Sequence, residues 1–271
     1  TSLNRVSPQS KFGIPAKESL LEMYQVEKDW AKAIVASQEL EALQNKGREK
    51  EIAHFHCELA DEALRRKDLA AATKHVELAM QSSPNHPRAI ILQGDCLVAQ
   101  NQLTQAVEVW SLIAKNHPAY LHLLANRWIS VHQVLGKVEE GLQVLVDALE
   151  TQAGGELLDI TFKHVMALRG VPQAETLMTE VMRHTPSLSA MALRAQARLT
   201  MAEVAQDTKA AQEFKASLDL LKQRTNTLAR YTCGNCGFRA KRFYWQCPGC
   251  NHWEAYSPRR GEGSAPSGPS M

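Results

Sequence analysis

The chain has 271 residues, a formal net charge of +2 and 44% hydrophobic content. That length holds one large domain plus a small one, the apolar share suits a sizeable core, and the near-balanced charge speaks against a wholesale nucleic-acid binder. No run of about 18 apolar residues is there to span a membrane, no signal peptide is visible, and six cysteines in so long a chain do not make a disulfide-stapled scaffold.

Residues 1–13 are polar and read as a lead-in or a partial repeat. Because the sequence starts at Thr1 rather than Met, it is read as a fragment with room upstream for an anchor and further repeats. From residue 14 to 229 a period of thirty-four dominates. Ala60, Ala72, Ala79 and Pro84 recur as Gly94, Ala106, Ile113 and Pro118, and Leu69 recurs as Leu103. This is the tetratricopeptide step: small residues where two helices cross, a larger apolar residue at the turn, and Pro closing the second helix. Tyr24, Trp30 and Ala33 place an earlier repeat at about 14–47, with GREKE (47–51) inserted after it. Val138, Gly141 and Ala148 place another at about 122–155, and Val171, Ala174, Val181 and Pro186 a fifth at about 155–188. Helices at roughly 187–206 and 208–229 read as a capping pair. The predicted fold is therefore all-α, a tetratricopeptide-repeat superhelix. In that register the first helix of each repeat offers His54, Asp61, Arg88, Asp95, Asn126, Ser130 and Gln133 to a groove of mixed charge, suited to a peptide or protein partner.

Residues 230–258 form a different kind of domain. Cys233-x-x-Cys236 and Cys247-x-x-Cys250 flank a ten-residue spacer. Two such turns facing each other supply four thiolates, which zinc takes tetrahedrally and iron also accepts. Gly237 and Asn251 follow the second cysteine of each turn, where a tight ligand loop wants positive φ. A closed four-sulfur shell leaves no place for water or substrate, so the expected ion is structural. Arg224, Arg230, Arg239, Lys241, Arg242, Arg259 and Arg260 interleave with Phe238, Phe243, Tyr244, Trp245, Trp253 and Tyr256. Such a mixture binds single-stranded nucleic acid in other proteins, but a small module also needs aromatics to build a core round its metal. Residues 259–271 read as a disordered tail.

Elsewhere the chemistry is thin. Cys57 and Cys96 read as small buried apolar residues. His54 and His56, two apart on a helix, do not share a face. No Gly-rich phosphate loop or His-Glu-x-x-His is present, so there are no candidate catalytic residues and no enzyme is expected.

EIAHFHCELA at 51–60 and YTCGNCGFRAKRFYWQCPGC at 231–250, set among these repeats, resemble the bacterial lipopolysaccharide assembly protein B family (LapB, formerly YciM). The resemblance covers nearly all of the chain after the first dozen residues. It implies a rubredoxin-like (zinc-ribbon) module packed on the repeats, with Cys233, Cys236, Cys247 and Cys250 holding one zinc or iron ion. It also implies a cytoplasmic-face, inner-membrane adaptor held by an N-terminal anchor not included in this chain. The partners implied are an FtsH-type membrane protease, the LpxC deacetylase and the lipopolysaccharide assembly proteins, with self-association left open. The competing reading is a nucleic-acid-binding repeat protein that works through its basic zinc ribbon; nucleic acid is disfavoured because the module needs its aromatics for a core and its basic residues equally suit an acidic protein surface or anionic lipid headgroups.

Overall fold

The structure of the protein, a computed structural model, describes residues 3, 6, 7, 10–151 and 154–256. The expected tail and the last two residues of the expected metal domain lie outside these. The chain divides into two compact units, Thr1–Ile113 and Ala114–Met271.

The first unit pairs α1 (Gly13–Glu27) with α2 (Trp30–Gln44), α3 (Glu49–Arg65) with α4 (Leu69–Ser82), and α5 (Pro87–Ala99) with α6 (Leu103–Asn116). The second opens with a 3₁₀ turn, Pro118–Leu123. It continues through α7 (Ala125–Val134) and α8 (Val138–Ala148), α9 (Gly155–Leu168) and α10 (Val171–His184), and α11 (Leu188–Val204) and α12 (Thr208–Thr227). Two short strands follow, β1 (Tyr231–Thr232) and β2 (Arg239–Ala240). Paired helices on a step near thirty-four residues define a tetratricopeptide-type fold.

Each helix pair turns through one residue in the left-handed region: Lys28, Lys67, Asn101, Gly136, Gly170 or Gln206. Non-glycine residues occupy four of these turns, where the strain of positive φ is offset locally. In three of them the next residue is an aspartate, and the carboxylates of Asp29, Asp68 and Asp207 accept from the amides of Lys32, Ala71 and Ala210. Those caps satisfy amides that the start of a helix leaves orphaned.

Within each pair the helices meet over small residues. Ala60, Ala72, Ala79, Ala106 and Ala174 are completely buried. Gly94 is closest of all: a Cβ there would lie 2.1 Å from Trp110 Nε1, whose N–H donates to Ile91 O at 3.0 Å. The second unit repeats the device at Gly141, where a Cβ would lie 2.5 Å from His132 and the backbone oxygen accepts from Trp128 Nε1 at 2.9 Å.

Two details refine the repeats. Within the inserted GREKE, Glu49–Glu51 form the first turn of α3 and Arg48 pairs with Glu51 at 2.8 Å. The repeat at 122–155 is preceded by a 3₁₀ turn, because Pro118 removes an amide donor and tightens the chain after α6. No helix among the described residues is long and apolar enough to cross a membrane.

Candidate metal centre

The two cysteine turns are built alike. In the first, the Gly237 amide donates to Cys233 O at 3.0 Å and the Cys233 amide to Phe238 O at 2.8 Å. In the second, Asn251 donates to Cys247 O and the Cys247 amide to His252 O, both at 2.8 Å. Gly237 has φ +75° and Asn251 φ +57°, as their places after the second cysteine require. β1 and β2 pair antiparallel, Tyr231 opposite Ala240 and Thr232 opposite Arg239. Bridges at Cys233–Tyr256 and Gln246–Trp253 bind the second turn into the same small framework.

This framework brings the four Sγ atoms within 4.8 Å of one another. Cys233–Cys250 and Cys236–Cys247 are each 3.7 Å apart, and all six cysteines are free of disulfides. Four sulfurs at about 2.3 Å from a tetrahedral ion would stand about 3.8 Å apart, so the two 3.7 Å pairs match such an ion and the four-sulfur set suits it. Cys233 and Cys247 are buried, Cys250 is half-buried and Cys236 is exposed.

The surroundings favour thiolate. Burial pushes the Cys247 thiol up, but Tyr256 Oη at 3.5 Å and the Gly249 amide at 3.4 Å outweigh it and bring it down to about 6. Cys250 is also lowered: burial raises it, and Asn235 and the His252 amide more than compensate. Cys236 moves the other way, up to about 12; the Phe238 amide lowers it, but burial and the thiols of Cys250, Cys233 and Cys247 prevail. Four thiols packed this closely oppose one another's loss of a proton. A metal ion removes that conflict by drawing charge from all four sulfurs.

The core under the sulfurs is small: Tyr231, Cys233, Ala240, Cys247 and Tyr256, with Phe243, Tyr244, Cys250 and Ala255 packed against it. The module also rests on the helices of its own unit. Tyr120, from the 3₁₀ turn, stacks on Trp245 at 5.1 Å and meets Phe243 edge-on at 5.9 Å. His122 faces Tyr231 at 6.0 Å and Phe243 at 5.7 Å. On α9, Glu156 accepts from the Tyr231 hydroxyl and Asp159 from Arg230 at 2.8 Å. Burial raises the Asp159 carboxyl even against Arg230, and pushes Tyr120 up to about 12. Sequence reasoning missed these four docking residues, and no spacing rule marks them.

Most aromatics of the module are thus spent on its core and its seat. Phe238, 41% exposed, still covers Gly249, where a Cβ would lie 3.1 Å from its ring. Arg239, Lys241 and Arg242 are exposed, and the Arg242 guanidinium lies over Tyr244 at 4.8 Å while donating to its hydroxyl. Arg259 and Arg260 lie outside the described residues.

The expected groove positions divide. Asn126, Ser130 and Gln133 are exposed, and Asp61 and Asp95 are half-buried. His164 Nε2 donates to Asn126 Oδ1 at 3.2 Å, and Ser130 Oγ donates to Asn126 O at 2.9 Å. His54 and Arg88 are instead buried, at 1% and 6% exposure. The Arg88 guanidinium is committed to Glu58 at 2.6 Å, and the His54 ring packs edge-on against His86 at 4.2 Å. These two are corrected from solvated groove contacts to packed residues. His56 goes to a different neighbour, His75, with their Nδ1 atoms 3.2 Å apart, so the two histidines do not converge. Cys57 and Cys96 are buried in the core of the first unit, and burial lifts the Cys96 thiol to about 11.

Fold and site together define a helical repeat protein of tetratricopeptide type with a C-terminal, rubredoxin-type metal module. Residues 231–258 match the family described as rubredoxin metal binding domain. Over 258 residues, 95% of its length, the chain is 27% identical to lipopolysaccharide assembly protein B of Escherichia coli K12 and spans 66% of that protein. It is 22% identical to the Haemophilus influenzae protein of the same name, over 92% of this chain and 62% of that one. Among solved structures, Pseudomonas aeruginosa pilF is similar at TM-score 0.45 and 14% identity, covering 79% of this chain and 96% of that chain. That likeness is too loose to carry a functional reading.

Proposed function

We propose that the chain is the repeat-and-module part of a non-enzymatic adaptor that regulates lipopolysaccharide biosynthesis. In this reading it brings an FtsH-type membrane protease to the LpxC deacetylase, links to the lipopolysaccharide assembly proteins, and works at the cytoplasmic face of the inner membrane. Membrane association would come from a segment N-terminal to these residues. The observation that carries the reading is similarity to proteins named lipopolysaccharide assembly protein B over 95% of the chain, repeats and module together. The protease and deacetylase rest on the family resemblance.

The physics suits an adaptor. Helix pairs present polar surfaces, for which Asp61 and Asp95 in the first unit and Asn126, Ser130 and Gln133 in the second remain the proposed contacts. Holding two partners side by side gains about 10²- to 10⁴-fold in avidity without new chemistry. A single zinc or iron ion on Cys233, Cys236, Cys247 and Cys250 would hold the module's fold. Four thiolates close its shell, which suits a structural role.

A crosslinking pull-down of the full-length protein from its native membrane tests this. Joint recovery of the membrane protease and the deacetylase is the expected result. Recovery of RNA or ribosomal material instead, lost on nuclease treatment, would replace the adaptor with a nucleic-acid binder.

A further inference from the structure

We propose that the metal module is an intramolecular ligand on the face formed by the 118–123 turn and α9, and that this face takes a basic-aromatic peptide segment of a partner when the module leaves it. The inference concerns this face alone and holds whichever partners the adaptor reading names.

The module engages that face as a peptide would. Arg230 and Tyr231 are adjacent in sequence, and each finds one carboxylate: Arg230 donates to Asp159 at 2.8 Å and the Tyr231 hydroxyl to Glu156. The two acids stand three residues apart on one helix face, and the bend at Arg230 before β1 lets two adjacent side chains both reach that face. Aromatic contacts finish the seat, Tyr120 against Trp245 and Phe243, and His122 against Tyr231 and Phe243. The receiving surface is therefore acidic and aromatic, and the seated segment basic and aromatic. That complementarity names the chemistry of a competitor: Arg followed by an aromatic residue, with a further aromatic nearby.

The seat also has a polar position that the module leaves unfilled. His122 is only 7% exposed, and among the described residues its Nε2 has no hydrogen-bond partner, while Nδ1 bonds Ala119 O at 2.9 Å. A buried ring nitrogen without a partner costs free energy that a better-matched ligand would recover.

Occupancy should depend on the ion. Phe243 and Trp245 lie on the spacer between the two cysteine turns, and Tyr231 lies two residues before Cys233. Between them they have two-residue strands and five buried residues to fix their positions. Holding the sulfurs together holds the spacer in shape; losing the ion frees it and uncovers Tyr120, His122, Glu156 and Asp159.

The test uses the full 271-residue chain and a fluorescein-labelled peptide of residues 228–246 with both cysteines replaced by serine. Anisotropy titrations compare metal-loaded protein, chelated protein and the Cys247→Ser variant. The expected result is at least tenfold tighter binding to the latter two. That binding should weaken tenfold when the peptide's Arg230 and Tyr231 become Ala, and likewise in a chain carrying Glu156→Gln and Asp159→Asn. Where metal-free protein aggregates, Arg230→Ala with Tyr231→Phe in the metal-loaded chain opens the same seat without touching a ligand. It should bind the peptide and show faster hydrogen exchange in α9. Equal binding by loaded and opened forms, or binding indifferent to the two acids, overturns the proposal.

Discussion

In the α5–α6 pair, an indole lies against a glycine, and the crossing is fixed by contact: Trp110 and Gly94 are both buried and the Trp N–H is satisfied. In the metal module, four sulfurs sit at ion-binding distance around a core of five buried residues. The first arrangement closes by burying apolar surface over many turns of helix. The second has too little chain to do that, as small domains generally do, and leans on coordination. One protein thus contains a part whose stability is spread over its core and a part whose stability is concentrated at one point.

Metal removal should separate the two most sharply. Structural zinc contributes on the order of 10–16 kcal/mol in zinc-finger peptides, far more than a module this size can replace. Chelation, or Cys247→Ser, is expected to abolish protection of amides from 231 to 256 in hydrogen exchange while α1–α5 keep theirs. Equal protection of the module in metal-free protein would show that its seat on Tyr120, His122, Glu156 and Asp159, rather than the ion, holds it.

The same contrast explains what could be read in advance. Helix pairs were legible because the crossing positions (Ala60 and Gly94, Ala72 and Ala106) accept small residues alone, so the constraint leaves a periodic mark. The cysteine turns were legible because coordination fixes both residue type and spacing, and Gly237 and Asn251 follow from the turn's φ. The docking face was not. Tyr120 and Glu156 lie in separate elements, and neither belongs to a local pattern. His54 and Arg88 were misplaced because repeat register assigns a helix face without saying what covers it. The Arg88–Glu58 pair links positions thirty residues apart, beyond any local rule.

A smaller effect belongs to the first unit. Burial, and then the charge of His75, hold His56 down to about 4, and His75 is also lowered by burial and Lys74. Well above pH 6.5 the rings are neutral in the folded and the unfolded chain alike, and the neutral pair contributes its full stability. As pH falls below 6.5 the unfolded chain binds protons that the folded one refuses, so stability is lost down to about pH 4. Urea midpoints measured from pH 7.5 to 4.5 should fall less steeply in a His56→Gln, His75→Gln variant. An unchanged slope would move the acid sensitivity to His122 or His164, both also lowered by burial.

The finest comparison is between the two glycine crossings. Gly94→Ala puts a methyl into the Trp110 ring and forces the indole off Ile91 O, whereas Gly141→Ala meets His132, whose Nδ1 bonds Trp128 O at 2.8 Å. Overpacking a well-filled core costs about 1–3 kcal/mol. The Gly94 change should fall at the upper end, since the indole is rigid, completely buried and only 2.1 Å from the added methyl, while the ring beside Gly141 is smaller and its nearest atom is 2.5 Å away. Chemical denaturation of each variant reads the difference directly. If Gly141→Ala proves the costlier, the crossing depends less on the bulk of the ring than on the Trp128 N–H to Gly141 O bond, which any shift of α8 would stretch.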